Sequence, residues 1–194
     1  MAKRIFIWVA HPRMNSLCGG IADAYQAGVL ETGAELRRMD LAEMSFDTAF
    51  EGYGENGLPL EPDLLDWQAN IAWADHILIV HPYWWGAMPT RAKAVLDRAL
   101  TPGFGFRYHA GKVAWDKLLK GRTADAIITS DTPPLLDTLL YRRPARGVIR
   151  NQVLGFCGIR AKRIIQFGSV KLASPGKIAG WLRRSQRMGV HAAS

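Results

Sequence analysis

Short runs of unbroken apolar residues, each followed by a helical period, constrain this chain more than any other feature. Arg4 to Ala10, His76 to Val80 and Thr123 to Thr129 are such runs. A strand that is apolar on both sides is covered on both faces, the condition of a parallel sheet. Glu35 to Met39 reads as a shorter, more exposed strand near an edge, and Arg163 to Phe167 completes a set of five. Between them, apolar residues recur every three or four positions. One helix starts at a cap on Asn15 or Ser16 and runs to about Thr32, where Gly33 supplies the stop. Others cover Asp63–Ala74 and Thr90–Leu100, and further helical stretches are expected at Trp115–Leu119, Leu135–Tyr141, Ala145–Phe156 and Pro175–Met188. Leu41 to Pro62, with Gly52, Gly54, Gly57 and Pro59, is a surface excursion and not a linker.

Strands alternating with helices imply right-handed crossovers and a three-layer α/β fold. The expectation is a five-stranded parallel sheet in the order 2-1-3-4-5 with helices on both faces. The 194 residues, 48% hydrophobic, suffice for one such domain spanning 1–194. In that order a ligand binds beyond the carboxyl ends of the strands, beside the switch point between the first and third. The loops there are 10–18, 81–89 and 129–137.

These are the chain's three most unusual loops. Loop 10–18 ends at a helix start, where free amides and the helix dipole suit an anion, and His11, Arg13 and Ser16 add donors or charge. Ser16 equally reads as a plain helix cap. Loop 81–89, His81-Pro82-Tyr83-Trp84-Trp85-Gly86-Ala87-Met88-Pro89, sets three aromatics and a glycine between strand and helix. It is either core packing or a seat for a planar cofactor held by the backbone amides of Tyr83 to Gly86. Loop 129–137 brings the hydroxyls of Thr129, Ser130 and Thr132. Asp131 reads as an Asx-type turn ahead of Pro133-Pro134. Cys18, in the first helical turn, is either a thiol acidified by the dipole or a small buried hydrophobe.

The chain lacks GxGxxG and GxxxxGK[ST], a catalytic Ser-His-Asp or Cys-His arrangement, and any zinc spacing, so no metal site is expected. Two distant cysteines imply free thiols and a cytoplasmic setting. No stretch reaches the ~18 apolar residues of a membrane span. Charge is lopsided: from Thr138 onward there are twelve Lys or Arg and no acid, against a net −4 before it, giving +8 in all. That asymmetry points to an anionic partner, whether a phosphorylated small molecule, a membrane surface or nucleic acid. Nucleic acid is disfavoured because no known binding signature is present.

The segment Trp73 to Pro89, followed by Lys93, Leu96-Asp97-Arg98 and Thr101-Pro102-Gly103-Phe104-Gly105-Phe106, resembles the flavodoxin-like NAD(P)H:quinone oxidoreductases. That family includes the modulator-of-drug-activity proteins and the ancillary oxidoreductases of potassium efflux systems. Ala10-His11-Pro12 with Ser16, and Phe156-Cys157-Gly158, extend the resemblance over about residues 4 to 188. It implies a flavin, FMN or alternatively FAD, passing hydride from NAD(P)H through N5 to a quinone-like acceptor. It also implies a homodimer with active sites at the subunit interface. His11, Ser16, Leu17 and Cys18 would hold the flavin phosphate region. Pro82, Tyr83, Trp84, Trp85 and Gly86 would hold the ring, with Thr129, Ser130, Asp131 and Thr132 at its other edge. Better-known animal members carry Thr-Thr-Gly-Gly where this chain has Thr129-Ser130-Asp131-Thr132, and their Tyr and His relay has no clear counterpart. Asp137 falls near the tyrosine's place, and Tyr141 is the remaining catalytic candidate. The basic C-terminal part would attract NADPH phosphates, a membrane or a transporter. The alternative reading is a flavin-binding regulatory subunit of a potassium-efflux-type transporter.

Overall fold

The computed structural model describes residues 2–54 and 57–194. Strands β1 (Arg4–Val9), β2 (Glu35–Asp40), β3 (His76–Pro82), β6 (Thr123–Thr129) and β7 (Arg160–Phe167) form a parallel sheet in the order β2-β1-β3-β6-β7. Counting only these five strands, the order is the expected 2-1-3-4-5. A small antiparallel hairpin, β4 (Phe106–Tyr108) with β5 (Trp115–Lys117), stands apart from it.

Strand alternation divides the core. Phe6, Trp8, Ile77 and Ile79 pack under α2 (Pro62–Trp73) and α3 (Thr90–Ala99). Ile5, Ile7, Val9, Leu78 and Val80 face α1 (Leu17–Leu30) and α7 (Pro175–Ala193). Each such side chain, fully buried, contributes about 1.5–3 kcal/mol. Trp8 meets Trp67 edge-on at 5.3 Å. β2 is one of the two edge strands, and its charged Glu35, Arg37 and Arg38 are what keeps an edge from pairing further. Helices α1 and α7 approach so closely that a Cβ at Gly28 would lie 2.0 Å from the Gln186 carbonyl oxygen, and one at Gly189 would lie 2.1 Å from that of Tyr25.

Two segments depart from expectation. Trp115–Leu119 was expected as a helix, because Trp115, Leu118 and Leu119 fit a helical period. Five residues cannot nucleate a helix unaided. Pairing with Tyr108 and stacking of Trp115 on Phe156 (4.6 Å between rings) draw residues 115–117 into a strand instead. The expected helix over 145–156 becomes α5 (Pro144–Gly147), a π-helical stretch Val148–Leu154, and a last turn α6 (Gly155–Cys157) closed by Gly158 at φ 93°. Ahead of it, α4 (Pro134–Leu139) ends before Arg142 and Arg143, both left-handed. Among the described residues, no helix is long and apolar enough to cross a membrane.

At the amino ends of the central strands a buried polar cluster is fully connected. The Tyr25 hydroxyl donates to Asp125 Oδ2 (3.3 Å) and accepts from His76 Nε2 (3.0 Å), and Arg163 pairs with Asp125 at 3.1 Å. Burial pushes the Asp125 carboxyl up, but His76 and Arg163 together hold it below its usual range.

Candidate functional site

Beyond the carboxyl ends of β1, β3 and β6 lies a crevice of about 380 Å³. His11, Arg13, Asn15, Ser16, Leu17 and Cys18 line it from the first loop; Pro82, Tyr83 and Trp84 line it from the second. Thr129, Ser130 and Asp131 come from the third, and Val170 and Lys171 from the loop after β7. Loop 170–171 was not anticipated. Its signal was topological: β7 lies beside β6, so its exit loop reaches the same end of the sheet.

In the first loop, Ser16 Oγ accepts from the Gly19 amide (3.2 Å) and caps α1. The capping role thus coexists with a place on the crevice wall. The amides of Leu17 and Cys18, in the first helical turn, have no intrahelical acceptor. His11 Nδ1 accepts from the Arg13 amide at 3.1 Å, and burial lowers its pKa, so Arg13 is the cation of this loop. Cys18 is buried, bonded to Thr129 Oγ1 at 3.3 Å, and burial pushes its thiol up to about 12. Desolvation outweighs the helix dipole here, and the acidified-thiol alternative is excluded.

The second loop holds its backbone differently from the expected row of four free amides. The Tyr83 amide donates to the Thr129 carbonyl at 2.7 Å, and Trp84 and Ala87 exchange two backbone bonds at 2.9 and 3.0 Å. Those bonds enclose a two-residue turn with Trp85 at φ 49° and Gly86 at φ 79°. The paired positive angles define a tight primed turn. Only the Trp85 and Gly86 amides lack a partner among the described residues. Trp85 is fully solvent-exposed, and neither it nor Gly86 lines the crevice. Trp84 packs edge-on to His11 at 5.6 Å.

In the third loop, Ser130 Oγ donates to the Thr132 carbonyl (2.7 Å) and accepts from Gln166 (2.8 Å). Thr132 lies outside the crevice. Asp131 does not close a local Asx turn: its Oδ1 accepts from the Lys171 amide (3.1 Å), and Lys171 Nζ stands 3.3 Å from Oδ2. The carboxylate is spent on tying two loops together. Tyr141, half-exposed, lies off the crevice. The tyrosine that does line it is Tyr83, whose hydroxyl donates to buried Asp137 at 3.2 Å. Asp137 in turn pairs with Arg146 at 3.3 Å. Burial first, then the Asp137 charge, raise the Tyr83 phenol to about 12.

Three residues of the basic C-terminal part, Arg146, Arg163 and Lys171, pair back onto acids of the earlier part. Among the described residues no cluster of three His, Cys, Asp or Glu is placed to hold a metal.

Fold and crevice together define a doubly wound α/β protein whose cavity sits at the switch point of its sheet. The chain belongs to the family described as having the flavodoxin-like fold, whose model matches residues 3–186. A ribosyldihydronicotinamide dehydrogenase-like protein of Penicillium crustosum is 29% identical over 157 residues, 70% of this chain but only 57% of the fungal one. The chain therefore spans little more than half of that relative's length. In structure it is similar to an NAD(P)H:quinone oxidoreductase of Methanothermobacter marburgensis (TM-score 0.80, 20% identity, 98% of this chain and 97% of that one). It is also similar to an FMN-dependent NADH-azoreductase of Bacillus anthracis solved with FMN (TM-score 0.75, 16% identity, 99% and 100%). At these identities the structural likenesses speak for the fold.

Proposed function

We propose that this chain is a flavin-dependent oxidoreductase that takes hydride from NAD(P)H and delivers it to a quinone or similar acceptor. One observation carries the reading: loop residues 11–18, 82–84 and 129–131 meet in one crevice with a phosphate-suited end and an aromatic end. The free amides at the α1 start and the Arg13 guanidinium suit a phosphate. Tyr83, Trp84 and Thr129 border the space that a planar ring needs. The names of the relatives are in keeping with it.

A mononucleotide, FMN, is the preferred cofactor. The neighbouring hollow of about 170 Å³, which shares His11, Arg13, Asn15 and Ser16 with the crevice, holds Asp23 and Asp40. Arg38 is already tied to both, at 2.5 and 2.7 Å, so among the described residues that hollow adds no free cation beyond the Arg13 it shares with the crevice, and a second phosphate would meet two carboxylates. The flavin when bound supplies the two-electron chemistry. The protein would supply position: the first loop would anchor the anion, and Tyr83 and Trp84 would border the ring. Tyr83 keeps its proton throughout the neutral range, so it orients and hydrogen-bonds and is no general base.

The exposed Leu135, Leu136, Leu139 and Leu140 lie along α4 and its C-terminal cap. Such a run of exposed apolar side chains fits the homodimer that the family resemblance implies. A cytoplasmic setting follows from the same reading.

Purified protein should be yellow, release FMN on acid treatment and oxidise NAD(P)H with a benzoquinone. A colourless protein that reconstitutes with neither FMN nor FAD overturns the reading. Release of FAD overturns only the choice of cofactor.

A further inference from the structure

Two histidines on β3 are buried, and their surroundings differ. His76 has partners on both ring nitrogens, Tyr25 and Thr123. His81 has one: its Nδ1 lies 2.8 Å from the Pro82 carbonyl oxygen. A carbonyl only accepts, so Nδ1 carries the proton, and in the neutral ring Nε2 is left as a bare acceptor. That Nε2 is buried with no partner among the described residues. An orphaned buried polar atom in a native core calls for an explanation.

His81 shares the face of β3 with Ile77 and Ile79, toward α3. It lines a cavity of about 300 Å³ that has no wall residue in common with the crevice described above. Met88, Leu96, Ala145, Val148 and Ile149 make the walls apolar. Val148 and Ile149 belong to the π-helical stretch, a distortion that recurs where helices border binding sites. The polar groups at the cavity are Thr90 and Lys93, and Lys93 is paired with Asp97. The volume matches the lower end of small-molecule sites.

We propose that this cavity binds a neutral phenol of one or two fused rings, its ring among Met88, Leu96, Val148 and Ile149 and its hydroxyl donating to His81 Nε2. Apolar walls select the ring, and the bare acceptor selects a donor. A quinone, which carries acceptors only, cannot satisfy Nε2. The assignment does not rest on the flavin reading.

The test is calorimetric titration of the purified protein with 2-naphthol and with 2-methoxynaphthalene, which keeps the rings but lacks the donor. Naphthol should bind saturably and about tenfold tighter than the ether, the worth of one hydrogen bond. His81→Phe should erase that difference, and Val148→Trp, at a half-exposed rim position, should abolish binding of both. The His81 Nε2 nitrogen resonance should move on naphthol addition. Equal affinities in the wild type, a preference kept in His81→Phe, or binding kept in Val148→Trp overturns the proposal. So does competition by FMN, which would place the naphthol in the crevice. If His81→Phe fails to fold, the rim variant and the nitrogen resonance decide. A colourless protein leaves every arm of this test intact.

Discussion

The hydroxyl of Tyr83, at the exit of β3, donates to Asp137 of α4 at 3.2 Å, and the carboxylate is shared with Arg146 at 3.3 Å. The link joins the aromatic loop to the segment that follows the third loop. Asp137→Asn should cost about 1–3 kcal/mol, because it weakens a bond to a buried charge and leaves Arg146 without its counter-ion. The same change should lower the Tyr83 pKa from about 12. It should stay above the ordinary value, since burial is the larger cause. Ultraviolet titration of the phenolate, with Tyr83→Phe as the blank, measures this.

His81 supplies a pH dependence. Burial lowers its imidazole to about 4 from the usual 6.5, so the folded state holds it neutral where the unfolded chain would bind a proton. Its contribution is fully present above pH 6.5 and is lost as pH falls toward 4, amounting to about 3 kcal/mol. Urea midpoints at pH 7.5 and 4.5 should therefore converge in His81→Phe relative to the wild type.

Trp85 sits at φ 49° with its side chain in solvent. A bulky residue held in the left-handed region costs on the order of 1 kcal/mol or more. Trp85→Asn, which tolerates that region, should raise stability by about 1 kcal/mol by thermal melting. If the indole shapes the acceptor's approach, the variant should raise KM for a quinone while leaving the flavin bound.

Gly28 and Gly189 permit the contact of α1 with α7. A methyl at either meets a backbone carbonyl at 2.0 or 2.1 Å, which no side-chain movement relieves. Gly28→Ala or Gly189→Ala should each lower stability by about 3 kcal/mol or more through forced separation of the helices. A denaturant midpoint that stays put would refute the close approach.

Much of the architecture was legible in advance because its signal is local. The unbroken apolar runs at 5–9, 77–80 and 124–128 could only be strands covered twice. The helical periods between them left one economical sheet order. That order in turn brings loops 10–18, 81–89 and 129–137 to one end. The two-residue offsets at strand ends, such as β3 running on to Pro82, were not legible. They depend on β6 reaching Thr129 opposite it.

By itself, the sequence determined the alternation of strands and helices, hence the sheet order and which loops surround the crevice, because periodicity of burial is written residue by residue. Only the tertiary structure decided what each polar group does there. Tyr83 finds Asp137 54 residues away, and Lys171 finds Asp131 40 residues away. His81 Nε2 finds no partner among the described residues, and Trp115 pairs into a strand against its local period. Hydrogen bonds and charges act over a few ångströms, and which groups come that close is settled by packing between distant segments.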